Sequence, residues 1–126
     1  MGLDIVVEKN GTDVYSFRAG SYSGFNDFRT WLAGIVLGDI NKFIGYGGTK
    51  DWDGIPFEEF LYHSDCDGEL NTEQCLELYG DFCMYLMVAG NNNNDEEHKY
   101  YFDTYMDFFN SFKMVKNGEA DKLVFC

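Results

Sequence analysis

Leu3-Asp4-Ile5-Val6-Val7-Glu8-Lys9-Asn10-Gly11-Thr12-Asp13-Val14-Tyr15-Ser16-Phe17-Arg18 is the stretch that decides the fold. Leu3, Ile5 and Val7 alternate with Asp4, Val6 and Glu8, the two-residue period of a strand that rests one face on a core. Asn10-Gly11 follows at once. Asparagine and glycine tolerate the positive φ of a two-residue hairpin turn whose twist matches that of paired strands. From Thr12 to Arg18 the alternation resumes, with Val14 and Ser16 on one side and Tyr15 and Phe17 on the other. A β-hairpin is therefore predicted at the start.

Working outward, Ala19-Gly20-Ser21-Tyr22-Ser23-Gly24 reads as a loop. Phe28, Trp31, Leu32, Ile35 and Val36 then follow the helical i, i+3, i+4, i+7, i+8 rule, which predicts a helix capped near Ser23 or Asn26 and ending near Gly38. Residues 39–55 carry Gly45, Gly47, Gly48 and Gly54 and read as a long loop. Pro56 suits the first turn of a short helix to about Tyr62, and His63 to Asn71 reads as a polar turn. Asn71 or Thr72 caps the next helix. Its inward stripe is Cys75, Leu78, Tyr79, Phe82, Cys83, Leu86 and Met87, with Glu73, Glu77 and Asp81 forming an acidic ridge on the opposite side. Asn91 to Asn94 break the chain, and Asn94 or Asp95 caps a last helix with an aromatic face of Tyr101, Tyr105, Phe108, Phe109 and Phe112, ending near Asn117-Gly118. Leu123-Val124-Phe125 closes as a short strand. The expected fold is α+β, a single domain over residues 1–126. In it the N-terminal β-hairpin and the C-terminal strand form a small antiparallel sheet packed against three to four helices.

The 126 residues are 45% hydrophobic and 18% aromatic, enough for one core and unlike a disordered acidic chain. The net charge is −13, and it is segregated: thirteen of the 22 Asp and Glu lie between Asp51 and His98, where there is no Lys or Arg. Such a field repels nucleic acid and anionic membrane and attracts cations and basic proteins. No apolar run approaches the roughly 20 residues that span a bilayer. The start lacks the basic and apolar regions of a signal peptide, so a cytoplasmic protein without membrane contact is expected. Cys66, Cys75, Cys83 and Cys126 have no C-x-x-C spacing and read as free thiols. His63 and His98 form no recognisable catalytic arrangement with them, and thirteen acids single out no glycosidase pair. A non-enzyme is expected.

Three candidate sites remain. Asp51, Asp53, Glu58 and Glu59, with Glu73, Glu77 and Asp81, offer carboxylates to a basic protein groove much as a row of phosphates would, in the manner of a DNA mimic; a merely solvated acidic face is the alternative. Arg18, Ser21, Tyr22, Ser23 and Arg29 surround a helix start, where free N–H groups hold anions, so a small anionic ligand or nucleotide could bind the Arg18 to Phe25 loop. The alternative is a connection whose arginines pair with local acids. Finally, His63-Ser64-Asp65-Cys66-Asp67-Gly68-Glu69-Leu70-Asn71-Thr72-Glu73-Gln74 resembles a degenerate EF-hand loop. Gly68 at position 6 puts Asp65, Asp67 and Asn71 at ligand positions, with Glu69 able to assist, but His63 and Gln74 replace the charged ends. Weak Ca²⁺ binding is one reading, and a simple turn leading into a helix cap is the other.

Met1-Gly2-Leu3-Asp4-Ile5, Phe17-Arg18-Ala19-Gly20-Ser21-Tyr22-Ser23-Gly24-Phe25 and His63-Ser64-Asp65-Cys66-Asp67-Gly68-Glu69-Leu70 resemble motifs of small phage and prophage proteins of unassigned function. The likeness covers roughly the first two thirds of the chain. It implies a viral or prophage source and the host cytosol. The basic partner would then be a host protein, such as a nucleic-acid-binding or defence complex that the acidic surface inhibits. It carries over no catalytic residue.

Overall fold

The structure, a computed structural model, describes residues 2–37, 60, 68–91 and 96–126. Strands β1 (Gly2–Lys9) and β2 (Thr12–Ser21) form the expected hairpin. Its turn residues Asn10 and Gly11 adopt φ of 54° and 80°, the left-handed backbone this turn requires. Ile5 faces Phe17 and Val7 faces Tyr15 across the pair. Strand β4 (Lys122–Phe125) runs antiparallel on the other side of β1, with Ile5 opposite Phe125 and Val7 opposite Leu123. A two-residue strand β3 (Glu69–Leu70) then pairs with β4, Leu70 opposite Leu123, giving the order β2-β1-β4-β3. This last strand falls where a polar turn is expected. Gly68, at φ 94°, turns the chain so that its carbonyl accepts from Phe125 N (2.8 Å) and Leu70 reaches the core.

Helices α1 (Tyr22–Leu37), α2 (Thr72–Met84), α3 (Leu86–Asn91) and α4 (Glu96–Lys116) complete the α+β domain. Among the described residues no helix is long and apolar enough to cross a membrane. The loop expected from Ala19 is instead strand: a register shift between Leu3 and Asp4 keeps β2 paired through Gly20 and Ser21, opposite Leu3 and Gly2. Ala19 is consequently buried. The helix starts earlier than expected as well, and Ser21 rather than Ser23 or Asn26 holds its first turn, its Oγ accepting from Gly24 N at 2.9 Å. The glycine-rich loop, the short helix from Pro56 apart from its helical, buried Phe60, and the cap at Asn94 or Asp95 lie outside the described residues.

Asn71 caps α2 through a complete capping box. Its side chain accepts from Gln74 N (2.9 Å), and Gln74 Oε1 accepts from Asn71 N (3.0 Å). Thr72 Oγ1 donates to the Asp121 carbonyl at 2.6 Å, tying the same helix end to β4. Asn71→Ala is expected to cost about 0.5–2 kcal/mol. Thermal melting would show a clear fall in the midpoint without loss of cooperativity. At the far end α4 stops at Gly118 (φ 80°), whose N–H donates to Val115 O (3.1 Å) while Glu119 N–H donates to Met114 O (2.8 Å). That double bond pattern is a Schellman stop.

One face of the sheet is sealed by the helices. Leu3, Ile5, Val7, Leu70, Leu123 and Phe125 meet Phe25, Phe28 and Leu32 of α1, Cys75, Leu78 and Phe82 of α2, and Tyr105, Phe108 and Phe112 of α4, all of them buried. The α2 stripe is narrower than the sequence suggests. Cys83 is exposed and Met87 is 79% exposed, because the sheet and α4 cover only the side defined by Cys75, Leu78 and Phe82.

Candidate functional site

The placement of the cations determines where uncompensated charge remains. Lys9 Nζ lies 3.2 Å from Asp121 Oδ1, and Asn10 N–H donates to Asp121 Oδ2 at 2.7 Å. The Asn10 N–H, followed by Lys9, holds the Asp121 carboxyl below the usual range. Arg18 forks onto Asp4, Nε to Oδ1 and Nη2 to Oδ2 (3.3 Å). Lys122 Nζ sits 2.9 Å from Glu69 and 3.9 Å from Glu8, and the bond to Glu69 raises its ammonium above the ordinary value. Three cations are thus committed to acids of the sheet or its edge.

Arg29 does different work. It is fully buried, with its guanidinium 4.8 Å from the Phe25 ring centroid and Nη2 donating to Asn26 Oδ1 at 3.2 Å. The anion site predicted from Arg18, Ser21, Tyr22, Ser23 and Arg29 is therefore not an open loop with two reaching arginines. Arg18 is strand-borne and engaged with Asp4, Ser21 caps α1, and Arg29 packs inside the core. The Tyr22 and Ser23 side chains lie outside the described residues.

Of the calcium-loop set, Glu69 and Asn71 are described. Glu69 belongs to β3 and pairs with Lys122, and the Asn71 side-chain oxygen is used by its own helix. Asp65 and Asp67 lie outside the described residues. Among the described residues no group of three or more His, Cys, Asp or Glu side chains is gathered for a metal.

Of the acidic set, Asp51, Asp53, Glu58 and Glu59 lie outside the described residues. Glu73 and Glu77 are exposed on α2, and Asp81 is half-buried. Among the described residues no cation reaches Glu73 or Glu77. What the sequence reading missed is that large apolar side chains share this outer face: Leu76 (41% exposed), Met84 (68%), Met87 and Val88 (44%). Gly80 lies among them, with nothing within 4 Å of the place a Cβ would occupy. The face continues across the helix junction. Tyr85, with φ and ψ of −100° and 7°, ends α2 as its C-cap, its N–H donating to Asp81 O (3.2 Å), and its own carbonyl accepts from Ala89 N (2.9 Å) where α3 takes over. The signal was present in the sequence: from Cys75 to Gly90 every residue except Glu77 and Asp81 is apolar or glycine, and so broad an apolar surface has more than one face to cover.

Three titratable groups of α2 and α4 are shifted toward their neutral forms. Burial pushes the Cys75 thiol up to about 12, so it stays protonated at neutral pH, its Sγ 3.4 Å from the Leu70 carbonyl. Tyr105 is raised by burial and donates its hydroxyl proton to the Phe82 carbonyl. Asp107 on α4 is also raised, first by partial burial and then by neighbouring Asp103. Comparison with protein-family models, curated proteins and solved structures returned no match.

Proposed function

We propose that this chain is a non-enzymatic binding protein that engages a basic protein surface through the outer side of α2. The observation that carries this reading is the outer side of α2, where exposed carboxylates that no described cation reaches lie beside exposed apolar side chains. Lys9, Arg18 and Lys122 are spent on Asp121, Asp4, Glu69 and Glu8, while Glu73 and Glu77 stand exposed with no cation of their own among the described residues. Four residues apart on a helix, these two carboxylates are separated by about 6 Å along its axis, a spacing that Lys and Arg side chains of a partner can match. A net charge of −13 speeds encounter with a basic partner and rejects nucleic acid. The likeness of three motifs to phage and prophage proteins supports a host protein as the target, one whose basic surface otherwise holds phosphates.

Affinity capture from bacterial lysate tests this reading. The wild-type protein is expected to retain basic proteins that elute as salt is raised, and Glu73→Gln/Glu77→Gln is expected to lose them. Equal retention by the double variant, or retention insensitive to salt, contradicts the proposal.

A further inference from the structure

We infer that the occupant of this surface is a basic amphipathic helix, lying along α2 and α3 with its apolar side on Leu76, Met84, Met87 and Val88 and its Lys or Arg residues beside Glu73 and Glu77. The inference rests on the binding role proposed above and specifies the shape of the partner. Positions 73, 76, 77, 80 and 84 succeed one another at helical intervals on α2, which places acidic and apolar groups on one outward stripe, and beyond the C-cap at Tyr85 the exposed Met87 and Val88 of α3 extend it. A second helix laid along such a stripe packs ridge into groove. Gly80 lets the two backbones approach at the middle of the contact, since no side chain stands there. Methionines dominate the most exposed positions, 68% at Met84 and 79% at Met87, and their unbranched, polarisable side chains adapt to an incoming apolar surface.

Charge selects among occupants. A second copy of this chain would bring Glu73 and Glu77 toward another surface of the same sign, against a net charge of −13 on each partner. A neutral apolar segment would cover the methionines and leave the carboxylates without partners. Nucleic acid is repelled and has nothing to place on Met84 and Met87. A helix with one apolar and one basic side satisfies both halves of the stripe.

The probe is a synthetic peptide of about five helical turns of Leu and Lys, with leucines at i, i+3, i+4 and i+7, compared with a scrambled peptide of the same composition. Fluorescence anisotropy is expected to show the amphipathic peptide binding at least about tenfold more tightly than the scrambled one. Met84→Gln/Met87→Gln is expected to erase that preference, with unchanged melting as the control for folding. Glu73→Gln/Glu77→Gln is expected to weaken both peptides and flatten the salt dependence. If both peptides bind equally and the methionine variant changes nothing, the helical occupant is wrong while the acidic reading stands. If the glutamate variant binds both peptides as the wild type does, the acidic reading fails too. Sedimentation showing a dimer that Met84→Gln/Met87→Gln dissolves would overturn the inference in favour of a second copy.

Discussion

Phe108→Ala is expected to remove about 3–5 kcal/mol of folding stability, a large share of the roughly 5–15 kcal/mol that holds a domain together. Phe108 is fully buried on α4 and is the ring through which the layers meet. It packs edge-on against Phe17 of β2 at 5.0 Å and against Phe60 at 4.8 Å. It stacks on Phe28 of α1 at 6.0 Å and lies 6.5 Å from Phe125 of β4. Deleting it leaves a cavity walled by rings from four parts of the chain, and rigid rings from separate elements collapse poorly into a void. Chemical denaturation followed by circular dichroism measures the loss. Phe109→Ala, at a half-buried ring 5.6 Å from Tyr79, is the comparison and should cost clearly less. Equal costs at the two positions would mean that the core is not centred on Phe108.

The two arginines near the start of α1 should respond in opposite ways. Arg29→Ala is expected to destabilise by about 2–4 kcal/mol, since it removes a buried cation–π contact and the charge-assisted hydrogen bond to Asn26 and empties a large buried volume. The geometry behind this is the guanidinium 4.8 Å from the centroid of Phe25 and its bond to Asn26, inside a residue with no exposed surface. Arg18→Ala removes a solvent-exposed pair with Asp4, a class of interaction worth about 0–1 kcal/mol. Melting of both variants decides between a structural and a ligand-binding role. A large effect at Arg18 with little at Arg29, together with a nucleotide that raises the melting temperature of the wild type alone, would restore the anion-binding reading of this region.

Much of the fold could be read locally. Leu3, Ile5 and Val7 announce β1 by their period, Asn10-Gly11 fixes the turn, and the helix cap at Asn71 and the stop at Gly118 follow from side-chain and backbone chemistry within a few residues. What escaped the sequence depends on partners far along the chain. Glu69-Leu70 is too short to show a period, and it is a strand only because β4 lies beside it. Ala19, Gly20 and Ser21 have little intrinsic preference for extended structure and are held by pairing back to Gly2 and Leu3. Helical spacing identifies which residues from 72 to 91 neighbour one another but not how wide the covering core is, so it points Cys83 of α2 and Met87 of α3 inward, while the structure leaves both outside.

The candidate site divides in the same manner. Segregation of acids is a property of composition and is visible at once. That Lys9 is consumed by Asp121, 112 positions away, is a consequence of folding, and so is the bond of Lys122 to Glu69 across 53 positions. Those pairs leave Glu73 and Glu77 without a cation, as they leave the exposed Asp13, Asp27, Asp103 and Glu119, and what distinguishes Glu73 and Glu77 is the exposed apolar side chains beside them. Their apolar neighbours change the character of the face, from a row of carboxylates to a mixed surface suited to a protein partner.

Methionine methyl resonances provide the most direct test of that face. With isotope-labelled methionine, Met84 and Met87 report from the outer side of α2 and α3, while Met106 and Met114 pack partly buried against the core. On titration with the basic amphipathic peptide, the Met84 and Met87 signals are expected to shift and saturate together while those of Met106 and Met114 hold their positions. Unmoved Met84 and Met87 signals at saturating peptide, or shifts confined to Met106 and Met114, would contradict a docking surface on α2 and α3.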